Sequence, residues 1–173
     1  MVRQDVRCFP TSSAGRLFDA AAAVLGFTRE ITYEGQAAIR LEQLARAGDS
    51  DEPYDMALSL ADPRPPTPDP FVLDPVPLIA QLVHDRLNGV DLSTIARRFH
   101  ATLAQWFAAL AERLLDEEHL SCVALSGGVF QNALLLDFIA DRLAPRAELL
   151  INETVPVNDG GIALGQAVLA IHA

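Results

Sequence analysis

The sequence contains no lysine, and all 13 of its basic residues are arginine. A chain without lysine has no amine that could form a Schiff base and no lysine for a P-loop, so both kinds of chemistry are excluded within it. Acidic residues outnumber arginines by 23 to 13, which gives a formal net charge of −10. Nucleic-acid binding needs a basic surface, and we therefore expect no nucleic-acid partner.

Cysteine is also scarce, and long apolar runs are missing. Cys8 and Cys122 have neither the spacing of a metal motif nor the number needed for a disulfide framework. Cys122 falls in a predicted buried strand, where an inert core thiol is expected. No apolar run is long enough to span a membrane, and residues 1–10 are too polar for a signal peptide. We expect a cytoplasmic protein without a membrane partner.

The chain does have apolar content. Hydrophobic residues make up 50% of its 173 residues, and the mean hydropathy is +0.20. This length suffices for one domain or one lobe of a larger one. The composition is apolar for a soluble monomer, so we expect part of the surface to lie against a partner.

Helical patterns dominate as far as residue 115. The first predicted helix has Ser12 or Ser13 as its N-cap and stops at Gly26, and the second starts at Tyr33 and stops at Gly48. A third helix is predicted to begin after Asp74 and Pro75, and a fourth is predicted to be capped by Ser93 and to reach about Leu115.

The segment between the second and third helices is irregular. Residues 54–60 could form a strand, and the proline-rich segment 62–70 is predicted to be an extended connection. His84 and His100 fall within the third and fourth helices without the spacing of metal ligands. Each is interpreted as a surface or core-edge histidine.

The last third alternates between strands and helices. A buried strand at 122–125, a glycine turn, a helix from about Asn132 to Leu143, a strand at 148–151 and a closing helix from Ile162 make a βαβα unit. The two strands should be parallel, and ligands of such sheets bind at the carboxyl ends of the strands. The predicted fold class is α/β, helix-rich, with a small and mostly parallel sheet.

Two loops at this edge carry the first candidate site residues. Gly127 and Gly128 allow close backbone approach, and the helix start near Asn132 offers N–H groups to an anion, although a plain tight turn explains the glycines equally well. Asp159 follows the second strand beside two glycines. It could bind a hard cation, or it could be a simple N-cap.

Two further candidates lie in the helical part. Asp19 is four residues from Gly15 and shares a helix face with it, so its carboxylate could accept sugar hydroxyls, or it could be a solvated residue near a helix start. Gly35 stands at the entry to the second helix. It could allow a ligand to approach the backbone, or it could be a turn glycine.

Five segments taken together resemble the C-terminal part of the hydrogenase maturation carbamoyltransferase family, HypF. They occur in the family's order, and the resemblance covers the chain from about Cys8 to its end. The segments are 11–20 (TSSAGRLFDA), 33–38 (YEGQAA), 98–100 (RFH), 125–132 (LSGGVFQN) and 158–167 (NDGGIALGQA).

The resemblance implies one lobe of an actin/Hsp70-like (RNase H-like) ATPase module, which is shared with the enzymes that make threonylcarbamoyladenosine on tRNA. It implies binding of ATP or carbamoyl-adenylate and transfer of the carbamoyl group to the C-terminal cysteine of a partner protein, HypE. In that family the product serves the maturation of nickel–iron hydrogenase. The attacking thiolate would come from HypE, and no catalytic residue is identified in this chain.

The resemblance also implies roles for individual residues. Asp19 matches the residue that holds the ribose, Asn132 matches one that contacts the nucleoside, and Asp159 matches a ligand of a divalent metal, iron or zinc with magnesium as an alternative. The glycines that match nucleotide-lining positions are Gly35, Gly127 and Gly128.

The expected organisation is a leader at 1–10 and one lobe at 11–173. The lobe comprises a helical part at 11–47 and 74–115 and a βαβα part at 121–173. The resemblance implies a preceding first lobe, with paired histidines that complete the metal site, which this sequence lacks. We therefore expect an incomplete active site, a metal bound only with the missing lobe, and a partner that is that lobe or a second copy. The alternative is a non-catalytic interaction module or half of a split nucleotide-binding protein.

Overall fold

The computed structural model describes residues 11–27, 30–55 and 73–172, and within them it has six α-helices and two β-strands. The parallel sheet and the surrounding helices confirm the predicted fold class. The elements in chain order are α1 (Ala14–Val24), α2 (Gln36–Arg46), α3 (Val76–Leu87), α4 (Leu92–Glu117), β1 (Cys122–Leu125), α5 (Ala133–Leu143), β2 (Glu148–Ile151) and α6 (Ile162–His172).

The long helix α4 is the centre of the core. It packs against α2, α3 and α5, and α1 packs against α2 and α3. The large apolar side chains of α4 recur at steps of three and four residues, so they share one face of the helix. Burial of each such side chain stabilises the fold by about 1.5–3 kcal/mol. The fully or almost fully buried members of this stripe are Ile95, Phe99, Leu103 and Trp106.

The start of α4 differs from the prediction. Asp91, not Ser93, is the N-cap, and its carboxylate accepts from the backbone N–H groups of Ser93 and Thr94. The Ser93 hydroxyl donates to the same carboxylate. A carboxylate at a helix start accepts from free N–H groups and is favoured by the helix dipole. This explains why Asp91 rather than Ser93 caps α4.

The two strands form a parallel pair, as the βαβ pattern predicts. Cys122 pairs with Glu148, and Leu125 pairs with Ile151. The prediction of a buried strand was wrong, because Leu125 is the buried residue of β1 and Cys122 is exposed. In the described part of the chain the sheet has only two strands, and they leave much of its surface open.

Helix α6 is apolar around most of its circumference, yet its described side chains are exposed throughout. An all-round apolar helix is normally buried. Leu169 and Ile171 are 72% and 78% exposed, and Leu150 of β2 is 47% exposed. No helix in the described ranges combines the length and apolarity needed to cross a bilayer.

Several predictions fall outside the described residues, namely the leader at 1–10, the connection at 62–70 and most of the strand at 54–60. Tyr54 is described, and it is a buried anchor rather than part of a strand. Its backbone N–H donates to Thr102 Oγ1 (2.9 Å), and the Arg98 guanidinium lies 4.1 Å from its ring centre. Burial, together with the Asp85 carboxylate, raises the pKa of the Tyr54 hydroxyl above its usual range.

Candidate functional site

Two glycine-bearing loops follow the carboxyl ends of β1 and β2 and face each other. We call residues 126–131 the first glycine loop and residues 155–161 the second. The Gly127 N–H donates to the Val157 carbonyl oxygen at 3.0 Å, which ties the two loops together. Between them lies an open cleft of about 350 Å³. The predicted meeting of the two loops is therefore present.

The cleft has polar side chains beside apolar ones in its lining, and none of its described lining residues is positively charged; we call it the polar cleft. Among the described residues that line it, Asp159 is acidic and none is basic. A phosphate group bound there would therefore meet no arginine from this lining. The other polar side chains of the lining are Ser126, Asn152 and Asn158.

The backbone of both loops requires glycine. Gly127 has φ = 111°, a conformation that residues with a side chain rarely adopt. At Gly161 an added Cβ would come within 2.6 Å of the Pro156 carbonyl oxygen. The Asn158 side chain accepts from the Gly160 N–H at 3.0 Å and so fixes the turn. The loops are thus shaped by close backbone packing.

A second cavity also borders the first glycine loop. It has a volume of about 290 Å³ and shares residues 126–128 with the polar cleft. Phe107, Val129 and Phe130 make its wall largely apolar, and Ala14 at the start of α1 also lines it. The first glycine loop therefore borders both the polar cleft and an apolar cavity.

Asn132 lies behind the first glycine loop rather than in the lining of either space. It is 8% exposed, and its Oδ1 accepts from the Leu135 N–H at 2.9 Å, which caps α5. Its Nδ2 lies 2.9 Å from Nε2 of His100. Both polar atoms of this side chain therefore have partners within the chain.

His100 is a fully buried core residue, not a core-edge one. Its ring makes edge contacts with Phe18 and Phe99, with centroids 5.3 and 5.7 Å away. Its Nδ1 lies 2.7 Å from the Ala96 carbonyl oxygen. Burial lowers the pKa of His100 to about 4, so the ring is neutral near pH 7.

The start of α5 was predicted to offer N–H groups to an anion, but two of these groups are already bonded. The Leu134 N–H donates to the Glu42 carboxylate at 3.3 Å, and the Leu135 N–H donates to Asn132. Glu42 also pairs with Arg46. A side chain from α2 thus occupies the positive end of the α5 dipole, which leaves less of it for a ligand.

The candidates in the helical part lie near the loops to different degrees. Asp19 shares a face of α1 with Gly15, where an added Cβ would lie 3.9 Å from Val129 of the first glycine loop. Its carboxylate pairs with Arg16 at 2.9 Å and remains one-third exposed. Gly35 has φ = 79° just before α2 and has open space above it, but it lines neither the cleft nor the cavity.

Asp159 is the one predicted metal ligand, and it reaches the cleft. The described ranges contain no group of three histidine, cysteine or acidic side chains close enough to hold a metal ion. A single carboxylate suits a hard cation but does not bind one by itself. These residues of the chain therefore do not form a complete metal site.

Sequence patterns gave little indication of the buried partners of these residues. His100 was visible in the segment at 98–100, but nothing in the sequence linked it to Asn132, 32 residues away. Nothing in the sequence indicated that Glu42 contacts the start of α5, because Glu42 and Leu134 are 92 residues apart in the chain. Asn158 could have been predicted as a turn residue, since asparagine before Asp-Gly often accepts a backbone bond two residues on.

Comparison with known proteins identifies the class. Residues 1–166 match the family described as "Carbamoyltransferase, Kae1-like Domain, second subdomain". The carbamoyltransferase HypF of Rhodobacter capsulatus is 42% identical over 164 residues, covering 92% of this chain and 20% of that protein. A HypF homolog of Cupriavidus necator is 36% identical over 180 residues, covering 98% of this chain and 43% of that protein.

Solved structures agree with the sequence relatives. Full-length HypF in a phosphate- and nucleotide-bound form matches with a TM-score of 0.81 and 39% identity, and HypF of T. kodakarensis matches with 0.78 and 29%. Each match covers 92% of this chain and 20% of the other. The chain belongs to the HypF carbamoyltransferase family and corresponds to the second subdomain of its Kae1-like domain. It spans about a fifth of the length of most of the relatives described.

Proposed function

We propose that this chain is the nucleotide-binding half of a HypF-like carbamoyltransferase module that binds carbamoyl-adenylate and delivers its carbamoyl group to the C-terminal cysteine of a HypE-like partner. The observation that carries the proposal is the pair of glycine loops, which meet at the carboxyl ends of two parallel strands through the bond from Gly127 to Val157. Ligands of open α/β sheets bind at this edge.

The two spaces beside the first glycine loop suit the two ends of such a ligand. The apolar cavity, with Phe107 and Phe130 in its wall, suits a flat base. The polar cleft suits the phosphate and carbamoyl end, where backbone N–H groups would stabilise developing negative charge. Asp19, on the face of α1 toward this loop, is our candidate for the ribose hydroxyls, and Gly35 would line the nucleotide after a closer approach of α2.

The absence of a basic residue from the described cleft lining supports a site completed from outside. We propose that Asp159 provides one carboxylate to a divalent metal, iron, zinc or magnesium, and that paired histidines of a first lobe provide the rest. A bound cation there would offset the charge of a phosphate. No side chain of this chain is assigned as the nucleophile, because the attacking thiolate belongs to the HypE-like partner.

The partner that completes the site is proposed to be the first lobe of the same module, with a second copy of this chain as the weaker candidate. The exposed apolar surface of α6 supports a large partner, because apolar helices of this kind are stable when covered. The family description supports the first lobe, since a second subdomain implies a first. A cytoplasmic location, expected from the sequence, stays a prediction.

The test is calorimetric titration with a stable carbamoyl-adenylate mimic, with the chain alone and with the first lobe added. We expect binding only in the second case. Asp159→Ala should abolish metal uptake by the reconstituted module and leave the unfolding midpoint of this chain unchanged. Equal metal content in that variant would remove Asp159 from the site, and failure of the reconstituted module to bind the mimic would overturn the assignment.

The open apolar surface favours one second candidate, a non-catalytic interaction module or half of a split nucleotide-binding protein. The interaction module predicts that the partner buries α6 without creating affinity for any nucleotide, whereas half of a split nucleotide-binding protein predicts affinity for ATP but none for the mimic. The same titration separates the two functions, because tight association of the two lobes without binding of the mimic or of ATP supports the interaction module.

A further inference from the structure

Asn132 and His100 form a directional chain of hydrogen bonds behind the first glycine loop. The Ala96 carbonyl oxygen can only accept, so the Nδ1 atom of His100 carries the ring proton. Burial disfavours the charged ring, which leaves Nε2 bare and able to accept from Asn132 Nδ2 at 2.9 Å. The Oδ1 atom of Asn132 is then free to accept from the Leu135 N–H.

We propose that His100 is a positioning residue, which sets the orientation of the Asn132 amide and through it the start of α5 and the first glycine loop. With the amide turned over, its oxygen would face the bare Nε2 atom and its NH₂ group would face the Leu135 N–H. Both contacts would be repulsive, because each would join two acceptors or two donors. The observed orientation therefore depends on an acceptor at the position of Nε2.

The surroundings of the ring hold that acceptor in place. His100 is fully buried between Phe18 and Phe99, so the ring has little room to turn. Glu42 holds the neighbouring Leu134 N–H from the other side. The first turn of α5 is thus fixed by two side chains from two different helices.

The arrangement also limits what Asn132 can offer to a ligand. Its amide nitrogen has two hydrogens, and His100 takes one of them, so one donor remains. Since the side chain is 8% exposed, its main effect would pass through the loop that precedes it. The link from Asn132 to a ligand rests on the proposed function, in which the first glycine loop holds a nucleotide.

The test compares three variants of the whole chain by hydrogen–deuterium exchange of the Leu135 amide. His100→Leu removes the acceptor at similar volume, His100→Gln keeps a carbonyl oxygen within reach of Asn132, and Leu82→Ala is a control in the buried core on α3. Loss of an N-cap should speed exchange at Leu135 about tenfold in His100→Leu relative to the control. His100→Gln should exchange as the unaltered chain does.

Equal exchange in His100→Leu and Leu82→Ala would overturn the proposal, and so would failure of glutamine to rescue. Should His100→Leu not fold, His100→Asn replaces it, because asparagine still reaches Ala96 but is too short for Asn132. The double variant with Asn132→Ala should exchange no faster than Asn132→Ala alone, because both changes break one chain of bonds.

A second measurement connects this role to the ligand. In the reconstituted module, His100→Leu should weaken binding of a non-hydrolysable ATP analogue about tenfold, as expected for the loss of one cap, and His100→Gln should not. If the unaltered module does not bind the analogue, the proposed function fails while the exchange data still decide the role of His100. Binding that is equal in all variants would show that the loop does not depend on this residue.

Discussion

Phe18, His100 and Asn132 come from three separate sequence motifs and touch in series within the core. The rings of Phe18 and His100 have centroids 5.3 Å apart, and His100 meets Asn132 at 2.9 Å. Residues of three motifs therefore hold α1, α4 and α5 together. The sequence could show the motifs, but pairing of residues so far apart arises only in the folded chain.

His100 makes the stability of the fold depend on pH. Its pKa is lowered to about 4, first by burial, while Glu42 raises it and Arg46 and Arg97 lower it further. The neutral ring is the form that the folded state prefers, so its contribution is fully present above the unfolded pKa of about 6.5. It should be lost as the pH falls from 6.5 to 4, by up to about 3 kcal/mol in total.

Urea unfolding at pH 7.5 and pH 5 measures this effect. The free energy of unfolding should fall more steeply with acidity in the unaltered chain than in His100→Gln, which cannot titrate. Carboxylates elsewhere contribute equally to both proteins, so the difference isolates the ring. Parallel pH profiles for the two proteins would contradict the prediction.

His119 is the one described residue other than glycine with a positive φ, at 55°. It follows the end of α4, where the Leu120 N–H bonds back to the Leu115 carbonyl oxygen. Glycine is the usual residue in this left-handed position, so His119→Gly should raise the free energy of unfolding by about 0.5–1 kcal/mol. Glu118→Gly is the control. Its φ is −100°, so it should not stabilise the chain.

Gly161 of the second glycine loop should tolerate added bulk less well than Gly128 of the first. An added Cβ at Gly161 would clash with the Pro156 carbonyl at 2.6 Å, whereas at Gly128 its nearest neighbour would lie 4.0 Å away at Asn158. Gly161→Ala should therefore destabilise the chain by about 1–3 kcal/mol, as overpacking does. Gly128→Ala should be close to neutral. Thermal unfolding of both variants checks this, and equal midpoints would contradict it.

Helix and strand positions were the most predictable feature. The fourth helix, which reaches to about residue 115, and the strand–helix–strand order follow from local periodicity, and both were confirmed. Caps and burial were less predictable, because they depend on neighbours in space. Asp91 prevails over Ser93 at the start of α4, and Cys122 is exposed because the described sheet has only two strands. The meeting of Gly127 with the second loop was predictable from the shared strand edge, whereas Glu42 at the start of α5 was not.

The exposure of α6 is unusual for an apolar helix in a folded domain. Most globular chains fold their apolar helices inward, but Ile162, Leu169 and Ile171 are more than half exposed. Each of them leaves apolar surface in contact with water. Burying that surface would stabilise the folded chain by about 25 cal/mol per Å². The chain alone should therefore self-associate or bind an apolar dye, and a partner should suppress both.

A double substitution, Leu169→Gln with Ile171→Gln, tests this prediction because it leaves the buried core untouched. In sedimentation the unaltered chain should associate with rising concentration, and the variant should stay closer to a monomer. Leu87→Gln is a matched control, since Leu87 is 82% exposed but lies on α3. Adding the first lobe should slow hydrogen exchange along α6 in the unaltered chain and less so in the double variant. A monomeric unaltered chain that binds no apolar dye, with α6 exchange unchanged by the first lobe, would contradict α6 as the interface with that lobe.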